Sequence, residues 1–168
     1  MQRRTLLKLS AASATVLVLA GGAAALIQPG LERGGLSPLG RDVFRSVGLA
    51  ILDKTLPSQD GAREIAVNGL LSRIDVLVKG LPQHAQAELS QLLSLMGTAA
   101  GRRTLAGLAS PWPDASVADV QAALQSMRLS GLALRQQAYA ALHDITTGAY
   151  FSDSQTWSVL GYPGPLKI

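Results

Sequence analysis

The side chains able to shuttle a proton, ligate a metal or attack a carbonyl are few in this chain and widely spaced. Two histidines and no cysteine occur in 168 residues. His84 and His143 stand 59 positions apart, outside any H-x-x-x-H or H-E-x-x-H arrangement that would place two ligands on one helix face. His143 and Asp144 are neighbours, but helix neighbours point about 100° apart, so the two are not expected to face each other. Asp53, Asp60, Asp114, Asp119, Asp144 and Asp153 are scattered, without the paired spacing of general acid and base work. No phosphate-binding glycine loop and no G-x-S-x-G elbow is present. The "GRR" of Gly101–Arg103 has the groups to hold a phosphate, and equally those of a solvated helix start. Zero cysteines exclude disulfides, thiolate-held iron–sulfur clusters, c-type haem attachment and cysteine zinc sites. The expectation is a chain with no catalytic residue, cofactor or metal of its own.

Charge narrows the partners. The chain carries 15 basic and 11 acidic residues, and Arg3, Arg4 and Lys8 lie in its first eight positions. Without residues 1–25 the balance is 12 against 11, which leaves no broad basic face of the kind nucleic-acid binding requires. "QRRTLLK" resembles the twin-arginine motif of signals that export folded proteins. Arg3, Arg4, Leu7 and Lys8 match that motif, Leu6 stands for its usual aromatic and Gln2 for its Ser or Thr. From Leu9 to Leu31 no charge occurs, and the apolar centre is rich in Ala and Gly rather than Leu. Ala23-Ala24-Ala25 offers an A-x-A cleavage site after Ala25. The other reading is an uncleaved N-terminal anchor, since 23 uncharged residues suffice to span a bilayer. Both readings place the mature protein outside the cytoplasmic membrane, in the periplasm or associated with the inner membrane.

The body must then be built from helices. Apolar residues make up 48% and charged residues 15%, enough to fill a core. Residues 26–40 read as a flexible linker of turn-formers. Ser37-Pro38 offers an N-cap and a first-turn proline, followed by Val43, Val47, Ala50 and Ile51 at helical spacing up to Pro57. A second helix carries Val67, Leu70, Leu71, Ile74, Leu77, Val78 and Leu81 and stops at Gly80 and Pro82. A third carries Ala85, Leu89, Leu92, Leu93 and Met96, with Gly97 as its C-cap. A short helix across 98–109 is weakened by Gly101 and Gly107. "SPWPDAS" forms a rigid connector around Trp112. Ser116 and Asp119 have capping-box spacing and open a long helical stretch with Val117, Val120, Leu124 and Met127 on one stripe. Leu134, Ala138, Leu142 and Ile145 continue it past Gly131, where a bend is expected. No alternating run is long enough for a strand. The expected fold is all-α: an irregular helical bundle of five to six helices over 41–149, followed by an extended tail of aromatics and prolines over 150–168.

That tail holds Tyr150, Phe151, Trp157 and Tyr162, four of the seven aromatics, beside Pro163 and Pro165. Prolines restrict the unfolded chain, and amphipathic rings are favoured where a surface is buried against a partner. Such a ribbon either binds another protein or folds back on its own bundle. Both outcomes bury the same rings.

"YAALHDITTGAYFSD" (Tyr139 to Asp153), followed by Trp157 and "GYPGP" (Gly161 to Pro165), resembles the gluconate 2-dehydrogenase subunit 3 family. Upstream, "ILDKTLPSQDGA" is similar to that family's Leu-x-Asp-x-x-Ile-Pro and Asp-x-Pro-Gly-Ala pattern at Asp53, Leu56, Pro57, Asp60, Gly61 and Ala62, though the second proline is missing. The family's members are small (gamma) subunits of membrane-bound, FAD-dependent sugar and alcohol dehydrogenases. The resemblance implies a non-catalytic subunit that accompanies a flavoprotein of the glucose–methanol–choline type through the Tat translocase. FAD would reside in that catalytic partner, and electrons would pass on to a cytochrome c subunit or quinone. Some relatives carry cysteines that are absent here, so no disulfide packing carries over. Two rival readings stand beside this one: a free-standing periplasmic scaffold or binding protein with a retained leader, and a small enzyme built around His143 and Asp144.

Overall fold

A computed structural model describes residues 28–164. Its fold is all-α apart from one two-stranded hairpin. Five helices of twelve residues or more make the bundle: α1 (Pro38–Ile51), α2 (Asp60–Gly80), α3 (Gln83–Gly97), α4 (Val117–Arg128) and α5 (Ala133–Phe151). Among the described residues no helix is long and apolar enough to cross a membrane.

α1 is the axis of the molecule. It buries Gly40, Val43, Phe44, Ser46, Val47, Gly48 and Ala50, most of its circumference, and packs on all four other helices. A helix buried nearly all round must lie inside, and small residues let its neighbours close in. Its start follows the sequence: the Ser37 hydroxyl oxygen accepts from the Gly40 N–H at 3.1 Å, and Pro38 occupies the first turn. α2 turns Val67, Leu70, Leu71, Ile74 and Val78 inward, and α3 turns Leu89, Leu93 and Met96. α4 and α5 add Val120, Leu124, Met127, Ala138 and Leu142. All belong to one continuous core. Each fully buried side chain of this size contributes roughly 1.5–3 kcal/mol of transfer free energy.

Several expectations are corrected. Residues 31–36 are not a loose linker. Leu31–Glu32 and Gly35–Leu36 pair as antiparallel strands, Leu31 opposite Leu36. The turn between them puts Arg33 at φ 50° and Gly34 at φ 77°, the two left-handed positions of a tight hairpin. The Leu36 N–H donates to Asp75 Oδ1 at 2.8 Å and the Leu31 N–H to Ser90 Oγ at 3.2 Å, so the hairpin bridges α2 and α3. Gly97 is not a C-cap glycine. It closes α3 with Thr98 in extended conformation after it, and a Cβ there would meet Leu39 Cδ1 at 2.4 Å, so close packing is what requires glycine. In place of a short helix over 98–109, one turn at Ala99–Gly101 widens into a π-type turn at Arg102–Ala106, which Gly107 ends at φ 79°. Instead of a bend at Gly131, α4 ends at Arg128 and α5 begins afresh at Ala133.

The tail is likewise not extended. α5 runs on through Tyr150 to Phe151, so the expected boundary at 149/150 falls inside a helix. Ser154–Leu160 then forms a 3₁₀ helix, capped by the Asp153 carboxylate, whose Oδ1 accepts from the Gln155 N–H at 3.0 Å.

Candidate functional site

The C-terminal hook that follows α5 is fixed at its root by one arginine. Arg73 of α2 donates from Nε to the Ala149 carbonyl at 2.8 Å and from Nη1 to Asp153 Oδ2 at 3.1 Å. Thr156 Oγ1 donates to the Asp153 carbonyl at 2.7 Å, and Trp157 Nε1 donates to the Phe151 carbonyl at 2.8 Å. The Tyr162 N–H donates to the Trp157 carbonyl at 3.1 Å, with Gly161 at φ 67° making the reversal. The six-residue turn is thereby closed on itself.

The aromatics expected to form one ribbon, either binding a partner or folded back on the bundle, are divided by this geometry. Tyr150 is 3% exposed and belongs to the core, its ring edge-on to Phe151 at 5.2 Å between centroids. It is spent inside the chain and offers no surface to a partner. Burial pushes its phenol pKa up, against the lowering effect of the nearby Arg73 charge. Phe151 and Trp157 are half-buried, and Trp157 lies against Tyr162 with ring centroids 5.3 Å apart. Tyr162 is 49% exposed and Pro163 is exposed. Pro165 and the expected export-signal residues Arg3, Arg4, Leu7 and Lys8 lie outside the described residues. Sequence reading missed two members of the exposed surface: Val159 at 54% and Leu160 at 60%. The signal for them was only their place between two aromatics.

The two motif-bearing segments meet. "LDKTLP" forms the turn after α1, where Leu56 is buried and Arg63 Nη2 donates to the Asp53 carbonyl at 3.1 Å and to Asp53 Oδ1 at 3.2 Å. The Thr55 carbonyl in that turn lies 3.5 Å from the Tyr150 hydroxyl. Stretches about 95 residues apart are therefore two sides of one packing contact.

The remaining titratable groups are placed as follows. His143 and Asp144, not expected to face each other, do so: Nδ1 lies 3.0 Å from Oδ1, while the imidazole stacks on Tyr139 one turn back. Side-chain torsions swing the two ends together even though their Cβ atoms diverge. The pair sits on the surface, with Asp144 76% exposed. His84 is exposed near the start of α3. Among the described residues no three His, Cys, Asp or Glu side chains are grouped to hold a metal ion. Arg102 of the "GRR" is neither a phosphate ligand at the surface nor solvated. It is 7% exposed, with Nη2 donating to the Ala109 carbonyl at 3.4 Å. Comparison with protein-family models, curated proteins and solved structures finds no match to this chain.

Proposed function

We propose that this chain is the non-catalytic small subunit of a periplasmic, FAD-dependent dehydrogenase, serving as export carrier and stabilising partner for the flavoprotein. The observation that carries this reading is one conjunction in the chain. A twin-arginine leader precedes a body in which both family-like segments occur, and the second of them ends in an exposed apolar hook. Export by a twin-arginine route suits a passenger that has already taken up its cofactor. Here the flavin belongs to the companion polypeptide, and the leader serves both. Val159, Leu160 and Tyr162 supply the apolar surface by which the companion would be gripped, since rigid aromatic and aliphatic anchors dominate stable interfaces.

Three measurements test the proposal. An affinity-tagged chain should retain a protein with flavin absorbance, and deletion of residues 1–25 should strand that protein in the cytoplasm. A partner still exported without the leader defeats the carrier role. Leu160→Asp should weaken association by about 2 kcal/mol or more, measured by titration calorimetry, with the melting temperature of the free chain unchanged. Undiminished binding by that variant removes the hook from the interface.

A further inference from the structure

The turn joining α4 to α5 shows an arrangement that stability does not explain. Leu129, Leu132 and Leu134 are 68%, 66% and 43% exposed there, within six residues. Leu132 occupies the N-cap of α5, a position where Ser, Thr, Asp or Asn would satisfy a free helix N–H, and it makes no side-chain cap. The turn is not slack. Ser130 Oγ accepts from the Leu132 N–H at 3.2 Å, the Ser130 carbonyl accepts from Gln136 Nε2 at 2.7 Å, and the Leu132 carbonyl accepts from the Arg135 N–H at 3.0 Å. The leucines are thus held outward by a formed backbone.

The stretches that build this tip carry charge of one sign. No carboxylate occurs between Glu88 and Asp114, or between Asp119 and Asp144. Those two stretches supply the π-type turn, most of α4, the leucine turn and the first half of α5. They carry Arg102, Arg103, Arg128 and Arg135, and the π-type turn packs against both α4 and α5. Arg135 ties the pieces together, donating from Nε to the Leu105 carbonyl at 2.8 Å and from Nη2 to Ser126 Oγ at 3.0 Å. The four arginines of α1 and α2 that meet a carboxylate are Arg41, Arg45, Arg63 and Arg73. Among the described residues, none of Arg102, Arg103, Arg128 and Arg135 does. Arg102 is buried and Arg135 is held by its two internal acceptors, so Arg103 and Arg128 are the exposed cations that these carboxylate-free stretches offer beside the leucines.

We infer that this tip is a membrane-docking turn that seats the folded body on an anionic bilayer, with Leu129, Leu132 and Leu134 entering the boundary of the acyl chains. Exposed apolar side chains at a helix–helix turn, with exposed arginines on the same and the adjoining element, match the two attractions that hold a protein at a bilayer interface. Arg103 and Arg128 are exposed and free to reach headgroup phosphates, while the stems of such residues lie along the apolar layer. The site is separate from the C-terminal hook, so it stands whether or not a flavoprotein is bound there.

The absence of cysteine makes the test site-specific. In the full chain, Gly131→Cys introduces one thiol at the tip, at a position where a side chain meets no atom within 4 Å. It is labelled with an environment-sensitive fluorophore. Gly61→Cys, equally open and on α2, serves as the control. With vesicles of equimolar phosphatidylglycerol and phosphatidylcholine, the Gly131 label should shift to the blue and become shielded from aqueous iodide, and the Gly61 label should not. The response should weaken about tenfold in the Leu129→Ser, Leu132→Ser double variant. It should also fall as salt rises from about 0.1 to about 0.5 M, where screening shortens the reach of the arginines. A chain that sediments with vesicles while the Gly131 label stays wet is bound through its leader, which overturns the inference. A label that responds only to an added protein, or equally to pure phosphatidylcholine, overturns it as well.

Discussion

Tyr150 shows how one side chain changes meaning once its neighbours are known. Between Ala149 and Phe151 it reads as part of an aromatic ribbon, yet its ring lies in the core beside the turn after α1. Because burial raises its pKa, the folded state holds the phenolic proton more tightly than the unfolded chain. Stability tied to this group is complete below the ordinary tyrosine range near 10 and is lost as pH rises through the folded value. Tyr150→Phe should therefore flatten the alkaline fall in stability between about pH 9 and pH 11. At neutral pH it should cost about 1 kcal/mol or less, since the contact to the Thr55 carbonyl is long. Urea titrations across that range would show it, and an unchanged alkaline limb would mean that Tyr150 does not govern the fall. His143 gives a comparable lesson: adjacency in sequence hid a contact with Asp144 that side-chain torsions permit.

The helices were largely legible, because each repeats its apolar residues at a period that one face of a helix must show. Val67 through Val78 and Leu89 through Met96 fall inward as the spacing requires. Elements without a period were not legible. Two-residue strands cannot display alternation, so the hairpin at Leu31–Leu36 had no pattern to read. Its attachment depends on close backbone approach. The Gly30 carbonyl accepts from both the N–H and the Oγ of Ser37, and a Cβ on Gly40 would lie 2.4 Å from that carbonyl oxygen. Gly40→Ala should thus cost about 1–3 kcal/mol by forcing the hairpin off α1. Hydrogen exchange at the Ser37 amide should rise in the same variant, and a neutral result would mean the hairpin moves aside freely.

Across the whole bundle, Trp112 joins what the chain separates. Its Nε1 donates to the Met96 carbonyl at the end of α3, and its own carbonyl accepts from Ser46 Oγ on α1 at 2.7 Å. Through the one buried side chain of Trp112, the connector expected to be rigid also staples two helices to the segment leading into α4. Trp112→Ala should destabilise the chain by about 3–5 kcal/mol, and Trp112→Phe by less, through loss of the indole hydrogen bond. Thermal unfolding followed by circular dichroism distinguishes the two. The hook beyond α5 is the surface we assign to a flavoprotein companion, and the leucine turn at the α4–α5 junction is the surface we assign to a membrane.

What the sequence by itself determined is the helical class, the caps at Ser37 and Ser116 and most of the inward-facing residues, all of which follow from local spacing and local hydrogen bonding. It also carries the twin-arginine-like segment and the motifs on which the proposed function rests. Only the tertiary structure decided which aromatics are spent in the core and which remain outside, and that Val159 and Leu160 join Tyr162 at the surface. It alone packed the arginine-bearing π-type turn against α4 and α5. The physical reason is that burial and charge clustering depend on which distant segments meet, and a helical period fixes a face without naming its neighbour.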